Sequence, residues 1–586
     1  AAEPALAEFA PLVLDTEAAI AAFKAQVPLP GPAVRVLDHS VLLYGADGKR
    51  LRWVHEVLAI RSRDAAETYG EIGLPQGTRI VALYTRKADG RIRHGEEVPE
   101  KDSITLPELE AGDFVVAQYL EPGDNGYLYD KGFLTPRVFF QGVDLPIHRQ
   151  RFEVYGPDDT PPDIQVLAGA PEPTPVRLGE RAGWRVEVRK VDQEVQEPDL
   201  PPAARWLPSA RAGRKVSLAD DLAYLRDRAL ARRRKTLAFE AWVREHAGDG
   251  EPAAQVKRLA RAVREAVDDQ QGVIEEDAAR AVETGNGNRA LVLSAALEVL
   301  GVPHRLWQGR PAVHEPPGPF TQVSHFPYPL IFWAGGVLDP GPERAPLGFM
   351  PFTLVSGDGI QVWPIEGARA EPQPLPAPRT VGDRRRVKVD AEWGADGVLR
   401  GEVEDRLEGQ EAIVVGHHLS RLDPAQRPRL VERLLVAAVG AAKVTALEDP
   451  AAQDPDGPLL LRYRFEAQVG DRLGLALFPT APARTHAPLP ERELPLYISL
   501  PTDQRVVWRL ASDRDFTCPP AAPVALAHGP HRFTRTVECD GDDLKVVSTV
   551  KVAGGELPVA DYAAFAAWAR QVDEAERLRL VIPAVR

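Results

Sequence analysis

The length of this chain excludes a fold with one hydrophobic core, because cores stop growing at about 250–300 residues and the chain has 586. Domains of about 100–200 residues would divide it into three or four parts. Its 47 glycines and 55 prolines favour short strands and turns over an array of long helices. Hydrophobic residues make up 44% of the chain and charged residues 27%, which is typical of folded globular proteins.

Charge and composition exclude several classes of function. The net charge of −14 argues against nucleic acid as a partner, because nucleic-acid binding relies on Lys and Arg. No apolar run approaches the roughly 20 residues of a membrane-spanning helix. His417-His418 and the run His528–His531 have no Cys or carboxylate at zinc-like spacing nearby. We therefore predict no metal, no cofactor and no transmembrane segment.

The order of β-rich and helical segments predicts an α+β fold with several domains. Short runs of apolar or alternating residues, separated by turn-forming residues, indicate β-sandwich-like domains at both ends. Apolar residues with helical spacing indicate an α+β core between them. The predicted boundaries are an N-terminal helix or tail over residues 1–30, a β-sandwich-like domain over 31–190, a Pro-rich linker over 191–215, the core over 216–375 and a β-rich domain with helices over 380–586.

The central domain contains the residues that could carry chemistry. A strongly apolar helix, Ala290–Leu300, follows the segment Gly285–Arg289. The first turn of a helix can activate a thiol, since its free N–H groups stabilise a thiolate. His325 and Asp339 come downstream, at a spacing that suits two antiparallel strands joined by a turn at Gly335-Gly336. A His and an Asp facing a helix N-terminus is the layout of a Cys-His-Asp acyl-transfer site.

These motifs resemble those of bacterial transglutaminase-like proteins of the papain-like superfamily. In that family a Gly-Asp-Cys-Lys-Asp-Lys-Ala-type segment opens the helix, which here corresponds to Thr284–Ala290. The matching sequence continues with Leu300-Gly301-Val302, His325 and Leu338-Asp339-Pro340. The resemblance implies a papain-like core in residues 216–375.

The resemblance extends to the regions on both sides of the core. The segments Leu106–Asp113 and Arg151–Pro157 are similar to the N-terminal domain of unknown function that precedes such cores. The C-terminal region is similar to the β domain that follows them. Because the family is usually exported, the resemblance implies an extracytoplasmic location, in the periplasm or secreted; no signal peptide is visible in this chain.

The sequence departs from the family at its most important residue. Aligned on Ala290, the catalytic Cys of the family falls on Asn286, and no Cys occurs before Cys518. An amide nitrogen has no usable lone pair, so Asn286 is not a nucleophile. Thr284 and Ser294 are the nearest hydroxyls. Ser294 is predicted to lie about two turns inside the helix, pointing into packing.

Simpler interpretations of the remaining residues stay open. Asn286 could be a turn residue or N-cap, His325 a polar residue at the start of a strand, and Asp339 a turn former. Cys518 and Cys539 could form a disulfide in an oxidising compartment or remain two buried thiols.

Three hypotheses on function follow. The first is a non-catalytic binding or scaffold protein for peptide or protein ligands, whose degenerate cleft contains Asn286, His325 and Asp339. The second is an active acyltransferase or peptidase that uses a non-Cys nucleophile such as Thr284 or Ser294. The third is a core kept only for its packing, with no cleft. The sequence does not predict the ligand or the oligomeric state.

Overall fold

The computed structural model of the protein divides the chain into two compact units. The first comprises Ala1–Gln196, Pro202–Leu225 and His314–His325, and the second comprises Glu197–Pro201, Arg226–Val313 and Phe326–Arg586. The structure describes all residues except 1–3, 27–28, 48, 76, 98–102, 124–131, 143, 195, 271–275, 316, 343–345, 347, 364–369, 377–382, 451–452, 455, 477, 514, 521 and 582–586.

The first unit is built mainly from strands. Its helices are α1 (Pro4–Phe9), α2 (Thr16–Lys24), α3 (Arg63–Thr68) and the first part of α4 (Leu218–Ala231), with 3-10 turns at Ala10–Leu12, Ala203–Arg205 and Val323–His325. Its strands are β1 (Ala33–Tyr44), β2 (Arg50–Ile60), β3 (Glu71–Gly73), β4 (Arg79–Arg86), β5 (Ile92–His94), β6 (Glu96–Glu97), β7 (Ser103–Thr105), β8 (Phe114–Gly123), β9 (Phe133–Leu134), β10 (Val138–Phe139), β11 (Ile147–Pro157), β12 (Asp163–Leu167), β13 (Thr174–Leu178), β14 (Arg181–Val191) and β15 (Ser209–Arg214).

Two sheets of the first unit pack face to face. Among the described residues, the larger has eight strands in the order β13-β14-β11-β1-β2-β8-β4-β5, and the smaller joins β10, β15 and β12, with β9 paired to β15. Apolar side chains from both sheets form one core, in which the rings of Tyr44 and Phe133 stack with centroids 4.0 Å apart. The opposite face of the larger sheet packs against α1 and α2 through Phe9 and Ile20. A three-stranded sheet, β3-β7-β6, completes the unit.

The segment predicted as a Pro-rich linker, residues 191–215, is in part regular structure. Ser209–Arg214 is the strand β15, whose Ala210 and Ala212 are fully buried. Further upstream, Glu197–Pro201 belongs to the second unit. There the Glu197 carboxylate accepts hydrogen bonds from the backbone N–H groups of Glu493 (2.7 Å) and Leu494 (3.2 Å). The prediction of a linker is therefore wrong for Ser209–Arg214, which is a core strand. It is also wrong for Glu197, whose carboxylate is hydrogen-bonded to the second unit's own backbone.

The second unit combines helices with two larger sheets. Its helices are the end of α4, α5 (Leu237–Ala247), α6 (Pro252–Ala266), α7 (Ala278–Thr284), α8 (Arg289–Val299), α9 (Phe352–Val355), α10 (Gln410–Arg421), α11 (Arg427–Val439), α12 (Pro482–His486) and α13 (Val559–Ala575). Its strands are β16 (Asp268–Asp269), β17 (Asn286–Gly287), β18 (His304–Arg310), β19 (Tyr328–Trp333), β20 (Gly336–Leu338), β21 (Asp358–Trp363), β22 (Gln373–Pro374), β23 (Arg384–Trp393), β24 (Val398–Glu408), β25 (Ala442–Leu447), β26 (Leu459–Gln468), β27 (Arg472–Ala476), β28 (Leu496–Ile498), β29 (Thr502–Ser512), β30 (Val524–His528), β31 (His531–Asp540), β32 (Asp543–Val552), β33 (Gly555–Leu557) and β34 (Arg577–Val581).

Each larger sheet of the second unit has its own core. Within the described residues, a five-stranded sheet runs β20-β19-β18-β21-β22 and an eight-stranded sheet runs β25-β26-β24-β23-β29-β32-β31-β30. One face of the eight-stranded sheet is apolar and buries Trp393 and Trp508 beneath α11. Shorter pairings join β16 to β17, β27 to β34 and β28 to β33. The fold is therefore α+β and multidomain. In the part of the chain that is described, no helix combines the length and apolar character needed to cross a membrane.

Candidate functional site

The N-terminus of α8 is closed by side chains of the protein itself. The N-cap is Asn288, not Asn286, and its Oδ1 accepts a hydrogen bond from the N–H of Leu291 at 2.9 Å. The carboxylate of Asp269 accepts a second bond, from the N–H of Arg289 at 3.1 Å. Two of the N–H groups that a helix start leaves free are thus occupied. A helix end with these groups taken is poorly suited to stabilising a thiolate or an oxyanion.

Backbone packing explains the two glycines on either side of Asn286. Gly285 ends α7 in the left-handed conformation, with φ of 74°, where a side chain would be strained. A Cβ on Gly287 would lie 2.6 Å from the Cβ of Ala281. Asn286 itself is exposed and pairs with Asp268 in the short parallel bridge between β16 and β17. The segment is therefore a compact helix-to-helix connection.

The side chain of Arg289 joins the start of α8 to two other backbone segments, the end of α6 and the loop after β20. The residue is only 6% exposed. Its guanidinium donates to the carbonyl oxygens of Val267 (2.6 Å), Gly341 (2.8 Å) and Arg264 (2.9 Å). Carbonyl oxygens are the partners of this guanidinium, so its geometric role is to hold the loop after Asp339 against the start of α8.

Asp339 lies directly after β20, at the point where the sequence predicts it. Its Oδ1 accepts the N–H of Gly341 at 3.0 Å, and its carbonyl accepts the guanidinium of Arg264 at 3.2 Å. Burial raises the pKa of this carboxyl to about 6, against the lowering effects of the Gly341 hydrogen bond and the Arg264 charge; the charge of Asp269 raises it further. A carboxyl with such a raised pKa is a common feature of functional sites.

Arg264 connects this site to the C-terminal part of the second unit. Its guanidinium donates to Asp456 at 3.1 Å, and both side chains are nearly inaccessible to solvent. One helical turn earlier, Arg261 also donates to Asp456 at 3.0 Å. Lys257 completes a basic stripe on α6 by pairing with Asp454 at 2.6 Å. The stripe fixes α6 to the segment that follows β25.

The two hydroxyls considered as nucleophiles are both engaged. Thr284 donates to the carbonyl of Arg280 in its own helix at 3.0 Å. Ser294 is fully buried, and its Oγ lies 2.7 Å from the Nε2 of His304. The Nδ1 of His304 lies 2.9 Å from the carbonyl of Val302. This is the geometry of a nucleophile and an oriented base, but a serine with no exposed surface cannot meet a substrate.

His325 lies in the first unit, at the end of the 3-10 turn that precedes β19. Its Nε2 is 3.2 Å from a guanidinium nitrogen of Arg211, and its Nδ1 faces the N–H of Gln322 at 3.3 Å. Arg211 also lies 3.7 Å from Glu315, which is ion-paired with Arg137. A guanidinium and a backbone N–H both only donate, and a neutral imidazole has a single acceptor nitrogen, so His325 accepts from one of these two groups at a time.

The structure therefore brings together part of the predicted site. The segment of Asn286 and the loop of Asp339 belong to the same unit and are joined through Arg289. His325 belongs to the other unit. The predicted antiparallel strands between His325 and Asp339 are present as β19 and β20.

Cys518 and Cys539, whose state the sequence left open, form a disulfide in the structure, with their Cα atoms 6.3 Å apart. They are the only cysteines of the chain. In this state the protein has no free thiol.

Sequence reasoning missed Asp269, Arg289, Arg264 and Asp456. One signal was available for Arg264, which follows Val256 and Ala260 at intervals of four residues and therefore lies on the buried face of α6. The partners of Arg289 could not be found in this way, because they are backbone carbonyls at the end of α6 and in the loop after β20, which carry no side-chain pattern.

Comparison with known proteins supports the fold. No family model matches the chain, and no curated protein matches it. Among solved structures, a protein from Parabacteroides distasonis described as a "putative protease" superposes with a TM-score of 0.63 at 12% identity, over 94% of this chain and 99% of that one. An M1 zinc metallopeptidase from Deinococcus radiodurans matches with a TM-score of only 0.20, at 11% identity, over 32% of this chain and 43% of that one. The first likeness shows that the multidomain α+β fold is shared along nearly the whole chain.

Proposed function

We propose that this protein is a non-catalytic transglutaminase-like protein that binds peptide or protein ligands outside the cytoplasm, with residues 216–375 as a papain-like core. The observation that carries the proposal is the state of the α8 N-terminus. Asn286 occupies the position of the family's nucleophile, and Asn288 and Asp269 occupy helix N–H groups beside it. The absence of a free thiol and the burial of Ser294 favour binding over acyl transfer.

Two further observations bear on location and ligand class. A disulfide persists in oxidising compartments, so the Cys518–Cys539 bond favours the periplasm or secretion. Asn286 is exposed, and Arg289, three residues further on, holds the loop after Asp339, whose carboxyl has a raised pKa. An exposed amide and a carboxyl can hydrogen-bond the backbone and amine groups of a peptide.

The direct test compares chemistry with binding. The protein is assayed for peptide hydrolysis and for amine incorporation, with and without His325→Ala, and is exposed to a fluorophosphonate probe. We expect neither turnover nor labelling of Ser294. Activity that is lost in His325→Ala, or labelling of Thr284 or Ser294 in the folded protein, would establish the catalytic alternative instead.

The binding arm uses a random peptide library displayed on phage. Peptides that the protein enriches are expected to lose at least about tenfold in affinity when Asn286→Trp blocks the exposed connection, a loss of about 1.4 kcal/mol. The matched control is Val436→Trp at an exposed position of α11, which should leave affinity unchanged. Failure to enrich any peptide, or equal affinity in both variants, would contradict a ligand site at Asn286.

Restoring a thiol provides an independent prediction. In Asn286→Cys the introduced thiol should titrate near the ordinary value of about 8.5, because neighbouring helix N–H groups are bonded to Asn288 and Asp269. The rate of alkylation of this thiol should depend on pH in the same way as that of a control thiol, introduced by Ala437→Cys on the exposed surface of α11. Iodoacetamide kinetics from pH 6 to 9 measure this profile; a thiol pKa below about 7, or gained acyl transfer, would show that the site remains competent.

A further inference from the structure

Residues 4–24 form a cover over one face of the eight-stranded sheet of the first unit. Phe9 is fully buried and stacks on Trp53 with ring centroids 6.1 Å apart. Ile20 is 2% exposed and packs into the apolar cluster that contains Val57 and Val116. The cover therefore holds to the sheet through apolar contacts from both helices, to which partly buried side chains of the cover add: Leu6, Leu12, Leu14, Ala19 and Phe23.

Between the contacts of the two helices the sheet carries buried histidines. His39 on β1 and His55 on β2 are directly opposite partners in the antiparallel pairing, and both are fully buried. The Nε2 of His55 lies 3.1 Å from the hydroxyl of Thr16, the first residue of α2, and 3.1 Å from the amide nitrogen of Gln118. Among the described residues, the ring nitrogens of His39 and the Nδ1 of His55 have no hydrogen-bond partner.

One charged cluster borders this pair. The carboxylate of Glu153 on β11 lies 3.6 Å from the Nε2 of His39. Glu153 also accepts the hydroxyl of Tyr155 and the guanidinium of Arg185, and lies 3.5 Å from Arg151. Burial raises the pKa of Glu153, but the contacts with His39, Tyr155 and Arg185 outweigh burial and lower that pKa to about 2. The carboxylate is therefore shared among several partners.

A third histidine contacts the other end of the cover. His148 is 7% exposed, and its ring meets that of Phe23 edge-on at 5.3 Å. The positive charges of Arg189, Lys190 and Arg149 surround it. No carboxylate among the groups that act on His148 offsets them, so protonation of this ring is disfavoured as well.

The remaining charged contacts of the cover lie at its surface. Glu17 pairs with Arg86 of β4 at 2.6 Å, and Tyr84 of the same strand hydrogen-bonds to Thr16. Lys24 lies 5.0 Å above the ring of Phe114. Glu8 of α1 likewise pairs with Arg181 of β14, at 3.5 Å.

We propose that residues 4–24 are an acid-released cover, which is closed while His55 and His148 are neutral and opens when they gain protons. A proton on either ring in its buried site would lack water, and opening would hydrate it. Burial lowers the pKa of His55 to about 4, with the charge of His39 acting in the same direction. Burial also lowers the pKa of His148. A histidine whose pKa is lowered in the closed state destabilises that state progressively as the pH falls from about 6.5 towards 4.

The test measures opening directly with a buried thiol. Because the native cysteines are paired, Ile20→Cys provides one reactive thiol beneath α2, and 4,4′-dithiodipyridine reports its exposure at acidic pH. The labelling rate, relative to that of the unfolded chain at each pH, should rise by on the order of tenfold or more between pH 6.5 and 4.5. In the same background, His55→Gln should remove most of this rise. His94→Gln, at an exposed position of β5, should leave it unchanged.

Hydrogen exchange on the unsubstituted protein provides a second test, which does not depend on whether a variant folds. Amide protection factors in α2 should fall at pH 4.5, while those in β29 and β32 of the second unit are retained. A labelling rate and protection factors independent of pH would overturn the proposal. So would an equal pH dependence with and without His55→Gln, or a simultaneous loss of protection in both units, which would indicate global acid unfolding.

Discussion

Replacing Arg289 by methionine is expected to lower the free energy of unfolding by about 3–5 kcal/mol. The substitution removes donors from the carbonyl oxygens of Val267, Arg264 and Gly341. Each buried acceptor left without a partner costs about 1–3 kcal/mol. Methionine fills a similar volume, so most of the loss is due to hydrogen bonding. Urea denaturation at neutral pH, followed by fluorescence and circular dichroism, measures the change.

The matched control for this prediction is Arg305→Met. Arg305 lies on β18 of the same unit and is exposed, so its replacement should change stability by less than about 0.5 kcal/mol. If Arg289→Met and Arg305→Met were equally mild, the three carbonyl contacts would have to be satisfied by water. The role of Arg289 in holding the Asp339 loop to α8 would then be unsupported.

Local patterns predicted the elements that build the site. The apolar helix over 290–300 is present as α8, Arg289–Val299, because nine consecutive residues of it can be buried on all sides. The helices predicted within residues 380–586 include α13, Val559–Ala575. The antiparallel pair between His325 and Asp339 was predicted from spacing and a double-glycine turn. In each case the signal lies within about twenty residues of sequence.

Contacts between distant segments could not be predicted. Arg211 and His325 are 114 residues apart, and nothing in the periodicity around Arg211 distinguishes it from any other strand residue. The strand β15 was predicted as linker because seven prolines occur between residues 171 and 208. The strand begins only after the last of them, and its small alanines gave no strong β signal. Its burial comes from β9, β10 and β12, which are distant in sequence.

The N-cap shows how a sequence pattern can be nearly correct yet lead to a different chemical conclusion. Asn286 and Asn288 are both good capping residues. Because Asn288 caps the helix, Asn286 is left exposed. An exposed Asn can serve recognition, whereas a cap would be structural.

Asp339→Asn is expected to stabilise the protein by about 2 kcal/mol at pH 8 and to have little effect near pH 3.5. The carboxyl has its pKa raised from 3.8 to about 6 in the folded protein. A raised pKa means that the folded state binds this proton more tightly than the unfolded state does. The resulting contribution to the free energy of unfolding is complete below the ordinary pKa of the carboxyl and is lost as the pH rises through about 6. A shift of about two pKa units corresponds to about 3 kcal/mol, and about 2 kcal/mol is expected because the buried carboxyl keeps a small solvent-accessible part.

Asparagine isolates the charge, because its side-chain oxygen can still accept the N–H of Gly341 that Asp339 accepts at 3.0 Å. Urea denaturation of both proteins from pH 3.5 to 8 should give curves that diverge between about pH 4 and 6; Asp249→Asn, at an exposed position, should follow the parent throughout. Parallel curves for Asp339→Asn would mean that Arg264 fully compensates the charge. Divergence would mean that the chain retains a destabilising carboxylate beside Asn286, a trade-off expected of a residue kept for recognition rather than for stability.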